Sequence, residues 1–150
     1  MNATKWLLLT SISLMVVTAA GFMLWFGGRA RVPDPATGPR GLASKTSRRG
    51  HYRVGLAPLS GPVEVGLTQS WVLWIHDPND APLARCKIKF DGWMPEHGHG
   101  LPTEPRVTQE RSDGAYVVEG VRLSMPGFWE LKVDVSGCGP SDTAIHALHI

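Results

Sequence analysis

A short run rich in methionine and histidine, Met94-Pro95-Glu96-His97-Gly98-His99-Gly100, contains most of the side chains in this sequence that could do chemistry. The run follows an apolar stretch that ends at Phe90, and its proline and glycines favour a loop. In a loop, His97 and His99 can direct both imidazoles to one centre. Met94 adds a thioether, and thioether with imidazole suits copper better than calcium or magnesium. If the loop binds a metal, this ligand set suits copper, but two histidines and a methionine fall short of a complete four-ligand signature. The alternative is a mobile turn with exposed imidazoles and with Met94 in the core beneath Trp93.

Three more residues extend this candidate site. Met125 precedes Pro126 in a turn, and it can approach the loop if the strand that follows lies beside the strand ending at Phe90. Glu96 can donate an oxygen or orient a ligand by hydrogen bonding. His76 ends an apolar run and can lean toward the loop, although a histidine at such a position usually lies on the surface. The candidate metal ligands are therefore Met94, His97, His99 and Met125, with Glu96 and His76 in supporting roles.

Enzyme motifs are missing from the sequence. It has no Gly-x-Ser-x-Gly elbow, no His-Glu-x-x-His motif and no phosphate-cradling or dinucleotide-binding glycine loop. We therefore expect a protein without catalytic activity. Two functions remain: a module that binds or handles copper through its Met/His loop, or an accessory interaction domain of a membrane complex whose histidines are incidental.

The charges divide the chain into segments. Residues 51–150 carry eight basic and twelve acidic side chains, a net charge of −4. An acidic domain argues against nucleic-acid binding, which needs lysine and arginine on the folded surface. Residues 27–50 carry six basic side chains and one acidic one, with much glycine and proline. This composition is typical of a disordered basic linker.

An uncharged apolar stretch follows a short tail of residues 1–5. Residues 6–26 would form a helix about 31 Å long, which matches the thickness of a bilayer core. We expect a single transmembrane anchor; the alternative is a cleaved signal sequence. The basic linker behind it favours a cytoplasmic domain by the positive-inside rule, whereas the cysteines and the metal-type loop favour the outside. We expect the domain on the extracytoplasmic side of the cytoplasmic membrane.

The remaining sequence alternates between apolar and polar residues with a period of two. Trp129, Leu131, Val133 and Val135 share one strand face, and residues 86–91 alternate in the same way. Residues 71–75 are apolar throughout, as in a central strand, and further strands are expected over 52–57, 63–68, 106–110, 115–123 and 143–150. Trp71, Trp74, Trp93 and Trp129 are expected in the core. Residues 51–150 are thus predicted to form an all-β immunoglobulin-like sandwich of about seven strands.

Two cysteines occur in this domain. Cys86 opens one predicted strand and Cys138 follows the end of another, so a disulfide can join them in an oxidising compartment. The alternative is a pair of buried free thiols.

The Met94–Gly100 run resembles the YtkA-like family, which is grouped with FixH-like proteins. The resemblance also includes Gly114-Ala115-Tyr116 and Met125-Pro126-Gly127-Phe128-Trp129-Glu130-Leu131, and it covers roughly residues 60–136. It implies a small exported or membrane-anchored β-sandwich with a Met/His loop. Met94, His97, His99 and Met125 fall on the matching positions, and a role in copper handling is implied from those ligands. Relatives often carry methionine where this chain has His97.

Overall fold

The computed structural model describes residues 42–111 and 113–150. In these residues it contains nine β-strands and no helix, so the all-β prediction is confirmed and the expected number of strands was too low. The strands are β1 (Leu42–Thr46), β2 (Arg53–Pro58), β3 (Thr68–His76), β4 (Lys87–Met94), β5 (His99–Gly100), β6 (Arg106–Glu110), β7 (Ala115–Arg122), β8 (Phe128–Ser136) and β9 (Asp142–His149).

The predicted transmembrane anchor over residues 6–26 lies outside the described residues. So do the tail before it and the linker as far as residue 41. Among the residues that are described, no helix is long and apolar enough to cross a membrane.

The strands form two antiparallel sheets. One has the order β1-β2-β3-β7-β6 and the other the order β5-β4-β8-β9. Their facing sides share one apolar core that includes Trp71, Leu73, Trp129 and Leu131, all fully buried. The alternation predicted for β8 is confirmed, because Trp129, Leu131, Val133 and Val135 are buried while Lys132 between them is exposed. Period-two alternation places every second side chain on the core face of a strand.

The β3 strand lies at the centre of the five-stranded sheet, between β2 and β7. Its residues from Trp71 to Ile75 are all buried, which confirms the prediction of a central strand from its continuous apolar run. Trp71, Leu73 and Ile75 belong to the core between the sheets, whereas Val72 and Trp74 do not.

Two segments differ from the prediction. The β1 strand lies inside the predicted linker and pairs with β2, and its first residue, Leu42, packs against the core. A separate strand was predicted over residues 63–68, but residues 63–67 form a loop and Thr68 begins β3. Gly61 and Gly66 take positive φ angles there, and the side chain of Gln69 hydrogen-bonds to the backbone of Pro62 and Glu64. Side-chain bonds of this kind replace the ladder that a strand would need.

Cys86 and Cys138 form a disulfide with their Cα atoms 4.7 Å apart, so the predicted pairing is confirmed. The bond joins the residue before β4 to the segment after β8, and these two strands are neighbours in the four-stranded sheet. It therefore fixes one end of the pair of strands whose other end carries the Met/His segment.

A buried carboxylate also joins distant parts of the chain. Asp142, at the start of β9, accepts hydrogen bonds from Oγ of Ser47 and from the backbone amides of Arg49 and His51. Burial alone would raise the pKa of Asp142, but the hydrogen bonds from Ser47, Thr143, His51 and Arg49 lower it to about 2. The carboxylate thus holds the β1–β2 turn against the opposite sheet.

Candidate metal centre

The Met/His segment forms a β-hairpin rather than the expected loop. The β4 strand continues to Met94, and β5 returns at His99. The turn between them closes with the amides of His97 and Gly98 donating to the carbonyl oxygen of Met94, and Gly98 has a φ of +67°. Glycine allows this backbone conformation without strain, so the dihedral freedom of Gly98 lets the hairpin close.

Strand pairing brings three of the four candidate ligands together. Met94 and His99 are direct partners across the hairpin, so their side chains lie on the same face of the sheet. The β8 strand pairs with β4, and Met125 lies three residues before β8. The two strands are therefore neighbours, as predicted, and this pairing places Met125 beside the hairpin.

His99 and Met125 are in contact. The Nε2 atom of His99 lies 3.2 Å from Sδ of Met125. The other ring nitrogen, Nδ1, lies 3.0 Å from the carbonyl oxygen of Gly100. A carbonyl oxygen only accepts hydrogen bonds, so Nδ1 is the donor and carries the hydrogen.

This bond defines the chemistry of the ring. When the imidazole of His99 is neutral, a hydrogen on Nδ1 leaves Nε2 with a free lone pair. The thioether of Met125 has lone pairs and no hydrogen, so two electron-pair donors face each other. Histidines that bind metals typically donate their other ring N–H to a backbone carbonyl or a carboxylate, as His99 does here. With a neutral ring, the pair therefore presents two electron pairs toward the same point.

Met94 is fully buried beneath the hairpin, with 0% of its surface exposed. Its Cε atom lies 2.9 Å from the position that a Cβ atom on Gly127 would occupy. Gly127 itself has a φ of +131° and exchanges backbone hydrogen bonds with Ile150. The sequence did not single out Gly127; the Met-Pro-Gly order was the available signal, since a glycine beside a ligand-bearing turn often permits close approach.

His97 and Glu96 lie at the exposed tip of the hairpin. The ring centroids of His97 and His99 are 6.0 Å apart. His97 can thus reach the same region only from the solvent side. Glu96 makes no hydrogen bond or ion pair with another described residue, so nothing positions it to orient a ligand.

His76 lies at the opposite end of the sandwich. His76 is the last residue of β3. Met125 follows β7, whose last residue, Arg122, pairs with Thr68 at the first residue of β3. The full length of β3 therefore separates His76 from Met125. The Nδ1 atom of His76 lies 3.7 Å from a carboxylate oxygen of Asp80. The structure does not bring His76 to the hairpin.

Two tryptophans flank the candidate centre in different ways. Trp129 is fully buried, stands edge-on to His99 with ring centroids 5.8 Å apart, and donates its indole N–H to the carbonyl oxygen of Met125. It thereby fixes the turn that carries Met125. Trp93, predicted in the core, is 47% exposed. Its neighbour Met94 takes the core position, and alternation along β4 turns Trp93 outward.

Histidine, cysteine and carboxylate side chains do not gather in threes anywhere in the described part of the chain. Any third protein side chain that joins His97 and His99 at one ion in these residues would therefore be of another type, such as a methionine thioether. The hairpin and the Met125 turn provide two thioethers and two imidazoles from one end of the sandwich.

The model of a known family, described as YtkA-like, matches residues 47–134. The match starts in the turn held by Asp142 and includes the hairpin and the Met125 turn. No curated protein matches the chain. No solved structure matches it either.

Proposed function

We propose, from the premise that this chain belongs to the YtkA-like family, that it is a membrane-anchored copper-binding module of the cell envelope. Its domain would be an immunoglobulin-like sandwich held on the extracytoplasmic side by a single transmembrane helix over residues 6–26. The Met/His hairpin would bind copper and hold it or pass it on, without catalysis.

The contact between His99 and Met125 carries this proposal. An imidazole nitrogen with a free lone pair faces a thioether sulfur 3.2 Å away. Zinc, an ion of the same row, makes bonds of about 2.0 Å to imidazole nitrogen and about 2.3 Å to thiolate sulfur, and bonds of this order would let the two atoms share one ion. Thioether sulfur is a ligand for copper and a poor one for calcium, magnesium or manganese. The donor set therefore favours copper.

The proposed location is supported by the disulfide between Cys86 and Cys138. Disulfides persist in oxidising compartments and are rare in the cytosol. A reporter fused to the carboxyl terminus tests this part, because an enzyme such as alkaline phosphatase is active only after export. A second fusion carries a reporter that is active only in the cytoplasm. Activity of that fusion alone would contradict the proposed orientation.

Copper binding is tested by titrating the full-length chain, purified in detergent with its disulfide intact, against a chromogenic copper chelator. We expect one copper per chain and loss of binding in His99→Ala. His149→Ala is the matched control, since His149 is an exposed histidine at the end of β9. Equal binding by both variants would contradict the proposal.

A second function is favoured by one observation. Trp93 exposes 47% of its surface on the outer side of the four-stranded sheet, and exposed tryptophans are frequent anchors of protein interfaces. The alternative is an accessory domain that docks onto a membrane complex. Trp93→Ala separates the two functions: it should leave copper binding unchanged and, under the alternative, release the domain from its complex.

A further inference from the structure

We infer that the centre is built for monovalent copper, Cu(I), bound by Met94, His99 and Met125, and that His97 is not one of the resting ligands. This inference rests on the proposed copper function and adds the oxidation state of the metal and the division of labour among the four side chains.

The chemical character of the donors favours Cu(I). Two of the three residues that the hairpin and the neighbouring turn bring together are methionines. Thioether sulfur is a soft ligand and selects Cu(I), whereas Cu(II) prefers nitrogen and oxygen ligands in a square-planar or tetragonal arrangement. A centre with two thioethers and one imidazole matches the first ion and lacks the harder donors that the second requires.

The harder donors of the hairpin lie on its exposed surface. The carboxylates of the hairpin, Asp91 and Glu96, are exposed, and the second imidazole, His97, lies at the exposed tip with its ring centroid 6.0 Å from that of His99. A Cu(II) ion would have to bind between His97 and His99 with water as the remaining ligands. Such a complex would form on the surface and would not involve Met94.

The surroundings of the ligands also favour a low-coordinate monovalent ion. Met94 is fully buried, and the indole of Trp129 stands edge-on to His99. Placing a divalent charge against buried apolar side chains costs more than placing a single charge there, because the lost hydration is larger. The side chain of Met94 itself has no surface exposed to water.

The position of His97 gives it another role. It is exposed on a turn whose next residue, Gly98, has a φ of +67° and nothing within 4 Å of its Cβ position. His97 can therefore contact an incoming ion or a partner protein before the ion reaches His99. Removing His97 should slow the capture of Cu(I) more than it weakens the bound state.

The test compares ions and variants in the full-length chain. Ag(I), which mimics Cu(I) and needs no reductant, Cu(II) and Zn(II) are each titrated calorimetrically. Cu(I) is measured without oxygen against a chromogenic chelator. The variants are Met94→Leu, Met125→Leu and His97→Ala, with His149→Ala as the control. Leucine keeps the apolar volume of methionine and removes only the sulfur.

We expect the wild-type chain to bind one Ag(I) or one Cu(I). Each leucine variant should bind the ion about tenfold or more weakly, whereas His97→Ala should bind it with nearly unchanged affinity. Tighter binding of Cu(II) that survives both leucine variants and is lost in His97→Ala would overturn this inference and leave the proposed copper function standing. Absence of binding for every ion would overturn both. Met125 lies in a turn, so its leucine variant keeps the test valid if Met94→Leu fails to fold.

Discussion

The Nε2 atom of His99 faces the Sδ atom of Met125 at 3.2 Å, although 26 residues separate them in the chain. The relationship arises from strand pairing, because β4 carries the hairpin and lies beside β8, and the Met125 turn leads directly into β8. The carbonyl oxygen of Gly100 keeps the hydrogen of the ring on Nδ1. Backbone geometry therefore sets which nitrogen of His99 can bind a cation.

Removing the disulfide should destabilise the domain. Cys86 and Cys138 are 52 residues apart, and closing a loop of that length stabilises the fold by about 4 kcal/mol in the chain-entropy model. We expect Cys86→Ala/Cys138→Ala to lower the free energy of unfolding by that order in urea denaturation. The oxidised wild-type chain and its reduced form are the controls. A double variant as stable as the oxidised protein would contradict a stabilising role.

Removing the buried carboxylate of Asp142 should also destabilise the domain. Asp142→Ala leaves the hydroxyl of Ser47 and the amides of Arg49 and His51 without their acceptor, which should cost about 3 kcal/mol of unfolding free energy. The matched control is Glu119→Ala, which removes an exposed carboxylate from β7. Equal denaturation midpoints for the two variants would show that the turn does not depend on Asp142.

Stability should fall in mild acid because of His146. This histidine is 1% exposed on β9. Burial, and then the charge of Lys45, lower its pKa from 6.5 to about 4, with the backbone of Val54 partly opposing the shift. Between these two pH values the unfolded chain binds the proton and the folded chain does not.

The stabilisation from a neutral His146 is therefore complete above pH 6.5 and declines by about 2 to 3 kcal/mol as the pH falls toward 4. Urea denaturation across this range should show the slope in the wild type and in His149→Gln, and a flatter profile in His146→Leu. Asp142 loses its contribution only as the pH falls from 3.8 to about 2, so the two effects separate. An unchanged slope in His146→Leu would assign the acid sensitivity to other groups.

Gly127 should prove essential for positioning Met94. In Gly127→Ala the new methyl group would lie 2.9 Å from Cε of Met94. The backbone of residue 127 also has a φ of +131°, a conformation that glycine almost alone adopts. We expect a loss of about 1 to 3 kcal/mol in stability and weaker binding of Ag(I). Gly61→Ala is the control, since Gly61 has a φ of +67° and open space around it. Unaltered Ag(I) affinity in Gly127→Ala would separate Met94 from the centre.

The alternation of residues in the sequence predicted most of the strands and the inward face of β8, and the positions of the two cysteines beside predicted strands indicated the disulfide. The burial of Trp129 and Leu131 and the outward position of Lys132 follow from a period of two along one strand. Met125 was also expected near the hairpin if its strand lay beside β4, and pairing of β4 with β8 fulfils that condition. These features depend on local pattern and on neighbouring strands.

The remaining features depend on contacts between distant residues. Trp93 was placed in the core by its size, but the strand continues through it and Met94 takes the inward position. The β1 strand has a composition typical of a linker, and its place in the sheet depends on pairing with β2 and on the turn that Asp142 holds across 95 residues from Ser47. The local sequence does not show where β4 ends. It also does not show which distant groups donate hydrogen bonds to Asp142.

The most direct test of the proposed copper centre is nitrogen NMR of the His99 ring in the full-length chain, before and after addition of one equivalent of Ag(I). Our account predicts that Nδ1 carries the hydrogen in the metal-free protein and that Nε2 shifts on binding Ag(I), while the ring of His149 is unaffected. A hydrogen on Nε2, together with an unchanged His99 signal after Ag(I) is added, would contradict it.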